Sequence, residues 1–405
     1  MRSGPSLLKT ILVGQSGGGT PVINASLAGV ISEAQALGVT RVLGMRNGVR
    51  GLLEEQFVDL TARSPAELQR LAQTPSAALG LCRFKLTAAA TLEAVTALRR
   101  WQIDAMLYIG GNDSAETTLA IGQTAAAAGA AVACIGIPKT IDNDLPAMDH
   151  TPGYGSAARW VASVVRDLGL DAWAMQREEQ VRILEVYGRD TGWLAAASVL
   201  ARACPDDAPH LVLVPERPFH EDTFLAAVER QVSRAGYCCL VVGEMLRDEA
   251  GNLVGNGATV WQDAFGHGET RRPGAYLRNL VQQRLHLRAK DDRPGSIQKV
   301  VADIASNVDR QEAWELGVAA VRAAAAGASE GIVALERQCD DPYHAVCRLA
   351  PLTAVAGRVR PLPSEFLDTA GQPNAEFLRY ARPLIGGPLP ERWRFSPAAV
   401  DPLIG

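Results

Sequence analysis

Two polar loops carry most of the groups that could do chemistry. The first is Pro138–Asp144, which holds Lys139, Thr140, Asp142 and Asp144 and follows the apolar run Ala131–Ile137. That run is short and rich in β-branched residues, so it is expected to be a buried strand of a parallel sheet. In open α/β sheets ligands bind outside the carboxyl ends of strands, so carboxylates, a hydroxyl and an ammonium gathered there are placed for a reaction. The competing explanation is a solvated turn, because Asp and Asn favour turns. A second loop weakens it: Gly110, Gly111, Asn112, Asp113 and Ser114 stand between the strand-like Ala105–Ile109 and an Ala/Thr-rich helical stretch. Paired glycines let backbone N–H groups approach an anion, and the helix N-terminus behind them carries partial positive charge. A phosphate is the natural guest.

Together the two loops resemble the phosphofructokinase family, whose signatures are a Gly-Gly-Asp loop and a Thr-Ile-Asp-Asn-Asp loop. The second is intact here as Thr140–Asp144, and the first is altered at Asn112. The resemblance runs from about Leu8 to Leu335. It implies an α/β fold of two Rossmann-like three-layer α/β/α domains and phosphoryl transfer to a sugar phosphate. It also implies roles. Asp142 accepts the proton of the sugar 1-hydroxyl, Thr140, Ile141 and Asp144 position the sugar, and Glu244 binds its hydroxyls. Tyr187-Gly188-Arg189 is similar to the family's Met-Gly-Arg, with Arg189 stabilising the transferring group; the structural alternative for Arg189 is an ion pair with Asp190 or Glu185. On the donor side the resemblance implicates Gly18, Arg83, Gly111, Asp113, Ser114 and Lys139. Gly295–Lys299 resembles a late motif that reaches the sugar phosphate. This places Ser296 and Lys299 at the substrate, with Arg288, Lys290 and Arg293 as further cations. Asn112 and Asp113 fall where the family binds Mg²⁺. An amide oxygen is a weaker ligand for a hard cation, and Asp113 can take over part of that role.

Asp113 and Lys139 bear on the donor, because ATP-dependent relatives typically have glycine at both places. A carboxylate would repel and crowd an α-phosphate, whereas the lysine adds a point charge suited to compact pyrophosphate. The resemblance therefore implies a pyrophosphate-dependent, reversible conversion of fructose 6-phosphate to fructose 1,6-bisphosphate. Two alternatives stay open. Ser296 and Lys299 replace a bulkier residue and an arginine, so the acceptor could be sedoheptulose 7-phosphate or another sugar phosphate. Asn112 leaves room for a catalytically impaired sugar-phosphate sensor.

The elements that must position these loops follow the same logic. Leu8–Val13 is a first strand, Gly14–Pro21 a glycine turn, and Leu27, Val30, Ile31 and Ala34 recur at helical spacing after it. The turn lacks both the Rossmann and the Walker A signature. Arg46–Gly51 resembles the family's connection after its second strand and reads equally as a turn or as a direct contributor to the site. A helix through Ala157, Val161, Val164 and Leu168 leads to a second sheet, suggested by Val181–Val186, Leu211–Val214 and Cys238–Val242. Ser306–Arg310 opens a late helix, and Gly331–Leu335 is a strand that rejoins the first sheet. The expected domains are 1–153 with about 298–345 for the donor, 154–297 for the sugar phosphate, and a tail, 346–405, without a motif. Leu253 to His286 is an unassigned insertion or lid.

At 405 residues, 47% of them hydrophobic, the chain is long enough for two or three domains. A net charge of -4 from interspersed acids and bases argues against nucleic acid as a partner. The sequence shows neither a run of about 18 apolar residues nor the order of a signal peptide, so no membrane partner and a cytoplasmic location are expected. Seven cysteines include no Cys-x-x-Cys pair, and the adjacent Cys238 and Cys239 should point to opposite faces of a strand as reduced hydrophobes. Six histidines lack zinc spacing, which leaves an oxygen-ligated ion. The family resemblance implies a homodimer or homotetramer.

Overall fold

The first strand, β1 (Thr10–Gln15), is buried along its whole length. Its Ile11 and Val13 enter one apolar core and Leu12 enters another, the alternation of a strand covered on both faces. The computed structural model describes residues 8–255 and 272–395. From β1 the chain passes through the glycine loop into α1 (Ile23–Ala36), β2 (Arg41–Met45), the short helix α2 (Val49–Leu53) and the short strand β3 (Phe57–Asp59). α2 takes part of the Arg46–Gly51 stretch, because Asn47 and Gly48, both at positive φ, complete the reversal before it. α3 (Pro65–Gln73) begins with a capping box between Ser64 and Glu67. Then come α4 (Ala88–Arg100), β4 (Ala105–Gly110), α5 (Asn112–Ala127) and β5 (Ala133–Pro138). β4 pairs with the opposite side of β1 from β2, so the strand order reverses there. The crevice outside the strand ends at such a switch point is where doubly wound sheets bind ligands.

α6 (Tyr154–Ala174) carries the chain to a second, parallel sheet. Its strands are β6 (Val181–Val186), β7 (Leu211–Leu213), β8 (Cys238–Gly243) and β9 (Ala289–Asp292), in the order β7-β8-β6-β9. β9 was not legible in the sequence, since Ala-Lys-Asp-Asp lacks the β-branched and aromatic residues that mark strands. α7 (Trp193–Ala197) joins α6 over one face, while α8 (Glu221–Ala235) and α9 (Pro273–Arg284) cover the other. Cys238 lies in the core with α8 and α9 and Cys239 in the core with α6 and α7, both as free thiols.

α10 (Asn307–Ala325) returns to pack on α1, and β10 (Glu330–Asp340) pairs in parallel with β5. β11 (Tyr343–Ala350) adds an antiparallel edge, giving the order β11-β10-β5-β4-β1-β2-β3. Each sheet is thus a layer between helices, the two-part Rossmann-like α/β/α architecture expected. The tail is not loose. It runs through turns and α11 (Ala375–Ala381) and buries Leu362, Leu367, Phe377 and Leu384 in the α6 core. Residues 256–271, within the unassigned Leu253–His286 stretch, and 396–405 of the tail lie outside the described residues. Among the described residues no helix is long and apolar enough to cross a membrane.

Candidate active site

The carboxyl ends of the two sheets line one cleft of about 490 Å³. The first sheet contributes Gly18 after β1, Gly111, Asn112, Asp113 and Ser114 after β4, and Lys139, Thr140, Ile141, Asp142 and Asp144 after β5. The second contributes Tyr187 and Arg189 after β6, Glu244 after β8 and Arg293 after β9, and Arg83 and Lys299 also line the cleft. Gly188 does not itself line the cleft but, at φ 143°, shapes the turn that presents Arg189. Ser296 is a correction: it is exposed on the 3-10 turn Gly295–Lys299, off the cleft wall. Ser16, Thr20 and Met245 line the cleft and were not singled out from sequence; Ser16 and Thr20 lie in the glycine turn, whose composition was their only signal.

On one side of the cleft two ammonium groups close on the glycine loop. Lys139 is buried, and its Nζ donates to the Gly18 carbonyl at 2.9 Å. A β-carbon at Gly17 would stand 2.9 Å from Lys139 Nζ, and one at Gly18 would stand 3.2 Å from Lys299 Nζ. Gly17, at φ 77°, also takes the left-handed conformation that favours glycine. Burial pulls Lys139 down to about 8 against the attraction of Asp142, and the neighbouring Lys299 and Arg189 push the same way. Burial, then repulsion by Arg83, likewise lowers Lys299, which also lies 5.9 Å over the Tyr187 ring. Cations crowded against one another in a cleft form a field that an anion relieves. Behind them Gly111 starts α5 with no side-chain cap, so first-turn N–H groups remain for an anionic guest.

Facing these groups, Arg189 Nε stands 3.7 Å from Asp142 Oδ2. Arg189 has a positive φ of 50°, and its N–H donates to Glu244 Oε1 at 3.0 Å. Burial, then the charge of Asp142, raises both Asp144 and Glu244 to about 7. Burial works against the Arg189 charge, but Asp142, Asp113, Asp144 and Glu244 outweigh it and raise its pKa. The structural alternatives for Arg189 are otherwise engaged: Asp190 with Arg247 at 2.6 Å and Glu185 with Arg293 at 2.9 Å. A glycine loop under two lysines, across from an Asp–Arg pair, is a site for moving an anionic group onto a polar acceptor.

The Phosphofructokinase family model matches residues 10–324. The chain belongs to this family. A pyrophosphate–fructose 6-phosphate 1-phosphotransferase of Xanthomonas campestris is 42% identical to it, covering 94% of this chain and 92% of the relative. A sulfofructose kinase of Alkalicoccus urumqiensis is 34% identical over 88% of this chain and 92% of its own. The crystal structure of a pyrophosphate-dependent phosphofructokinase from Marinobacter aquaeolei matches with a TM-score of 0.85 and 33% identity, covering 96% of this chain and 94% of that one. Coverage of that extent cannot be reached within residues 10–324, so the likeness includes the tail.

Two further features of the site bear on the expectations. Asn112 lines the cleft, but its amide is engaged by the tail: Oδ1 accepts from the Gly357 N–H and Nδ2 donates to the Arg358 carbonyl. It straps the tail to the start of α5. Of the three further cations, Arg288 pairs with Glu178 and Lys290 with Glu179, and neither lines the cleft. Both lie toward the amino end of β9, away from the ligand-binding edge of the sheet, while Arg293 follows its carboxyl end. Of the cleft carboxylates Asp113, Asp142, Asp144, Asp190 and Glu244, Asp113 stands on the loop expected to meet the metal, and among the described residues no three acidic, His or Cys side chains form a metal cage. That donor set fits Mg²⁺, which takes one or two carboxylates and completes its shell with waters and substrate phosphates.

Proposed function

We propose that this phosphofructokinase transfers a phosphoryl group from pyrophosphate to the 1-hydroxyl of fructose 6-phosphate, giving fructose 1,6-bisphosphate and orthophosphate. The observation that carries this reading is the closure of Lys139 and Lys299 on the glycine loop, opposite Asp142 and Arg189. The relatives named for pyrophosphate and fructose 6-phosphate support it. In this scheme Gly18, Arg83, Gly111, Ser114 and Lys139 hold pyrophosphate, and Asp113 disfavours the longer chain of a nucleoside triphosphate. Thr140, Ile141, Asp144, Tyr187 and Glu244 hold the sugar. Asp142 takes the hydroxyl proton as the sugar oxygen bonds to phosphorus, the bridging P–O bond breaks, and orthophosphate leaves with the bridging oxygen. Arg189 spans the attacking and leaving sides and steadies the charge on the transferring group. Asp113 would hold Mg²⁺ together with the phosphate oxygens, where the ion supplies charge neutralisation. Lys299, over the glycine loop, serves the junction between the two substrates. Residues 1–153 with about 298–345 form the donor half and 154–297 the sugar half, in a cytoplasmic homodimer or homotetramer.

The test is turnover of fructose 6-phosphate by purified protein with Mg²⁺ and either pyrophosphate or ATP at equal concentration. Pyrophosphate should support turnover and ATP should do so poorly. Equal or better rates with ATP would overturn the donor. A preference of about tenfold or more for sedoheptulose 7-phosphate, roughly 1.4 kcal/mol, would overturn the acceptor alone.

A further inference from the structure

The stretch Gly357–Leu362 belongs to the tail, where the sequence carries no motif, yet it touches loops of both sheets. Its first residues hold Asn112 at the start of α5. The Arg360 N–H donates to the Asp144 carbonyl at 2.7 Å. Its guanidinium donates through Nε and Nη2 to the Asn143 carbonyl, at 3.2 and 2.9 Å, and through Nη1 to the carbonyls of Met148 and Asp149. The same guanidinium lies 4.6 Å over the ring of Trp193, whose Nε1 donates to the Arg360 carbonyl at 3.2 Å. Trp193 opens α7 directly after the turn that carries Arg189. Leu362 N–H and Gly192 N–H share Glu216 Oε1.

Asn143 gives this contact its consequence. It is fully buried, lies between Asp142 and Asp144, and has a φ of 56°, a left-handed conformation that persists only where the surroundings over-determine it. Three contacts do so: Oδ1 accepts from the Thr151 N–H at 3.0 Å, Nδ2 donates to Tyr380 Oη at 2.9 Å, and the carbonyl accepts the Arg360 fork. Without the fork the turn can relax, and the two flanking carboxylates move with it.

We infer that Arg360 is a positioning residue of the phosphoryl-transfer site. By gripping the Asn143 carbonyl and stacking on Trp193, it sets Asp142 relative to Arg189 across the two sheets. This rests on the reaction proposed above. The pyrophosphate-holding groups Lys139 and Arg83 are not among its contacts, so its loss should act on turnover and not on pyrophosphate binding.

The experiment compares kcat, KM for pyrophosphate and melting temperature for the parent, Arg360→Ala, Arg360→Lys and Tyr380→Phe. Arg360→Ala should lower kcat by about 10- to 100-fold, the scale of a misplaced reacting group, with KM for pyrophosphate within about threefold. Lysine keeps the charge but cannot span the carbonyls as a fork, so Arg360→Lys should fall between, and millimolar guanidinium should restore part of the Arg360→Ala turnover. Arg379→Ala, on the surface of α11 where Arg379 pairs with Glu376 and Asp340, should match the parent. A folded Arg360→Ala with parent kcat, or a rise in KM for pyrophosphate at unchanged kcat, overturns the inference. Should Arg360→Ala fail to fold, parent kcat in both Arg360→Lys and Tyr380→Phe overturns it, and a fall in kcat at unchanged KM in both supports it. A parent without pyrophosphate-dependent turnover overturns the underlying reaction, and this inference with it. An active parent with an indifferent Arg360→Ala overturns the inference alone.

Discussion

Asp144 and Asp149 follow the same strand, yet their carboxyls are driven in opposite directions. Asp144 belongs to the cleft, where burial and then Asp142 raise it to about 7. Asp149 belongs to an ionic cluster behind the cleft, where His150 Nδ1 stands 2.7 Å and Arg337 Nη2 3.0 Å from its Oδ2. Burial also pushes Asp149 up, but His150 and Arg337 outweigh it and lower its pKa. His150 reaches Glu312 Oε2 at 2.7 Å through its other nitrogen, and Glu312 accepts the Tyr343 hydroxyl. Burial opposes the imidazolium, yet Glu312 and Asp149 raise it to about 9. One region satisfies its charges internally and serves the fold. The other gathers carboxylates near carboxylates and cations near cations, the perturbed titration that marks functional sites.

If that contrast is right, substitutions should separate activity from stability. The largest expected effect is Asp142→Asn in the cleft, which should lower kcat by about 10²–10⁴, the usual worth of a general base, while the melting temperature stays close to the parent's. Steady-state rates beside a thermal melt check both halves, and retained turnover would assign the base elsewhere. In the cluster, His150→Asn leaves Asp149 and Glu312 without their shared cation and should cost about 3–5 kcal/mol of stability, with kcat per folded molecule falling much less than for Asp142→Asn. Because the folded pKa of His150 is raised to about 9, the parent's advantage should be full below its unfolded pKa of about 6.5 and fade as pH rises through about 9. Denaturant titrations at three pH values read this directly. Equal stabilities at pH 6 would show that the cluster is not ionic.

Two smaller effects sharpen the donor side. Lys139→Met removes one charged contact and should lower kcat/KM for pyrophosphate by about 10- to 150-fold, or roughly 1.5–3 kcal/mol. In the parent the same quantity should fall as pH rises through about 8, where free Lys139 loses its proton, by up to about tenfold per pH unit. Lys139→Met should lack that alkaline limb. If the limb survives the substitution, another group titrates there. On the sugar side, kcat/KM for fructose 6-phosphate should fall below about 7 as Asp144 and Glu244 gain protons.

Much of this was legible because strands and the loops after them leave local signatures. The apolar runs now seen as β1, β4, β5, β6 and β8 needed only periodicity, and the polar residues at their ends needed only the rule that doubly wound sheets bind there. β9 escaped because it is held by pairing with β6 and not by its own composition. Ser296 was misplaced because a motif fixes its position in the chain and not which side of a 3-10 turn meets the cleft.

By itself, then, the sequence determined the chemistry on offer and the strand ends that would present it, since both depend on residues adjacent in the chain. Tertiary structure alone decided which of those groups meet. Lys299 reaches Gly18 from a distant part of the chain, Arg293 reaches the cleft while Arg288 and Lys290 do not, and Asn112 anchors the tail. Arg360 had no local signal at all, because its role consists of carbonyls contributed by a loop more than two hundred residues earlier. Hydrogen bonds and charge coupling act over a few ångströms, and only folding sets those distances between residues so remote in sequence.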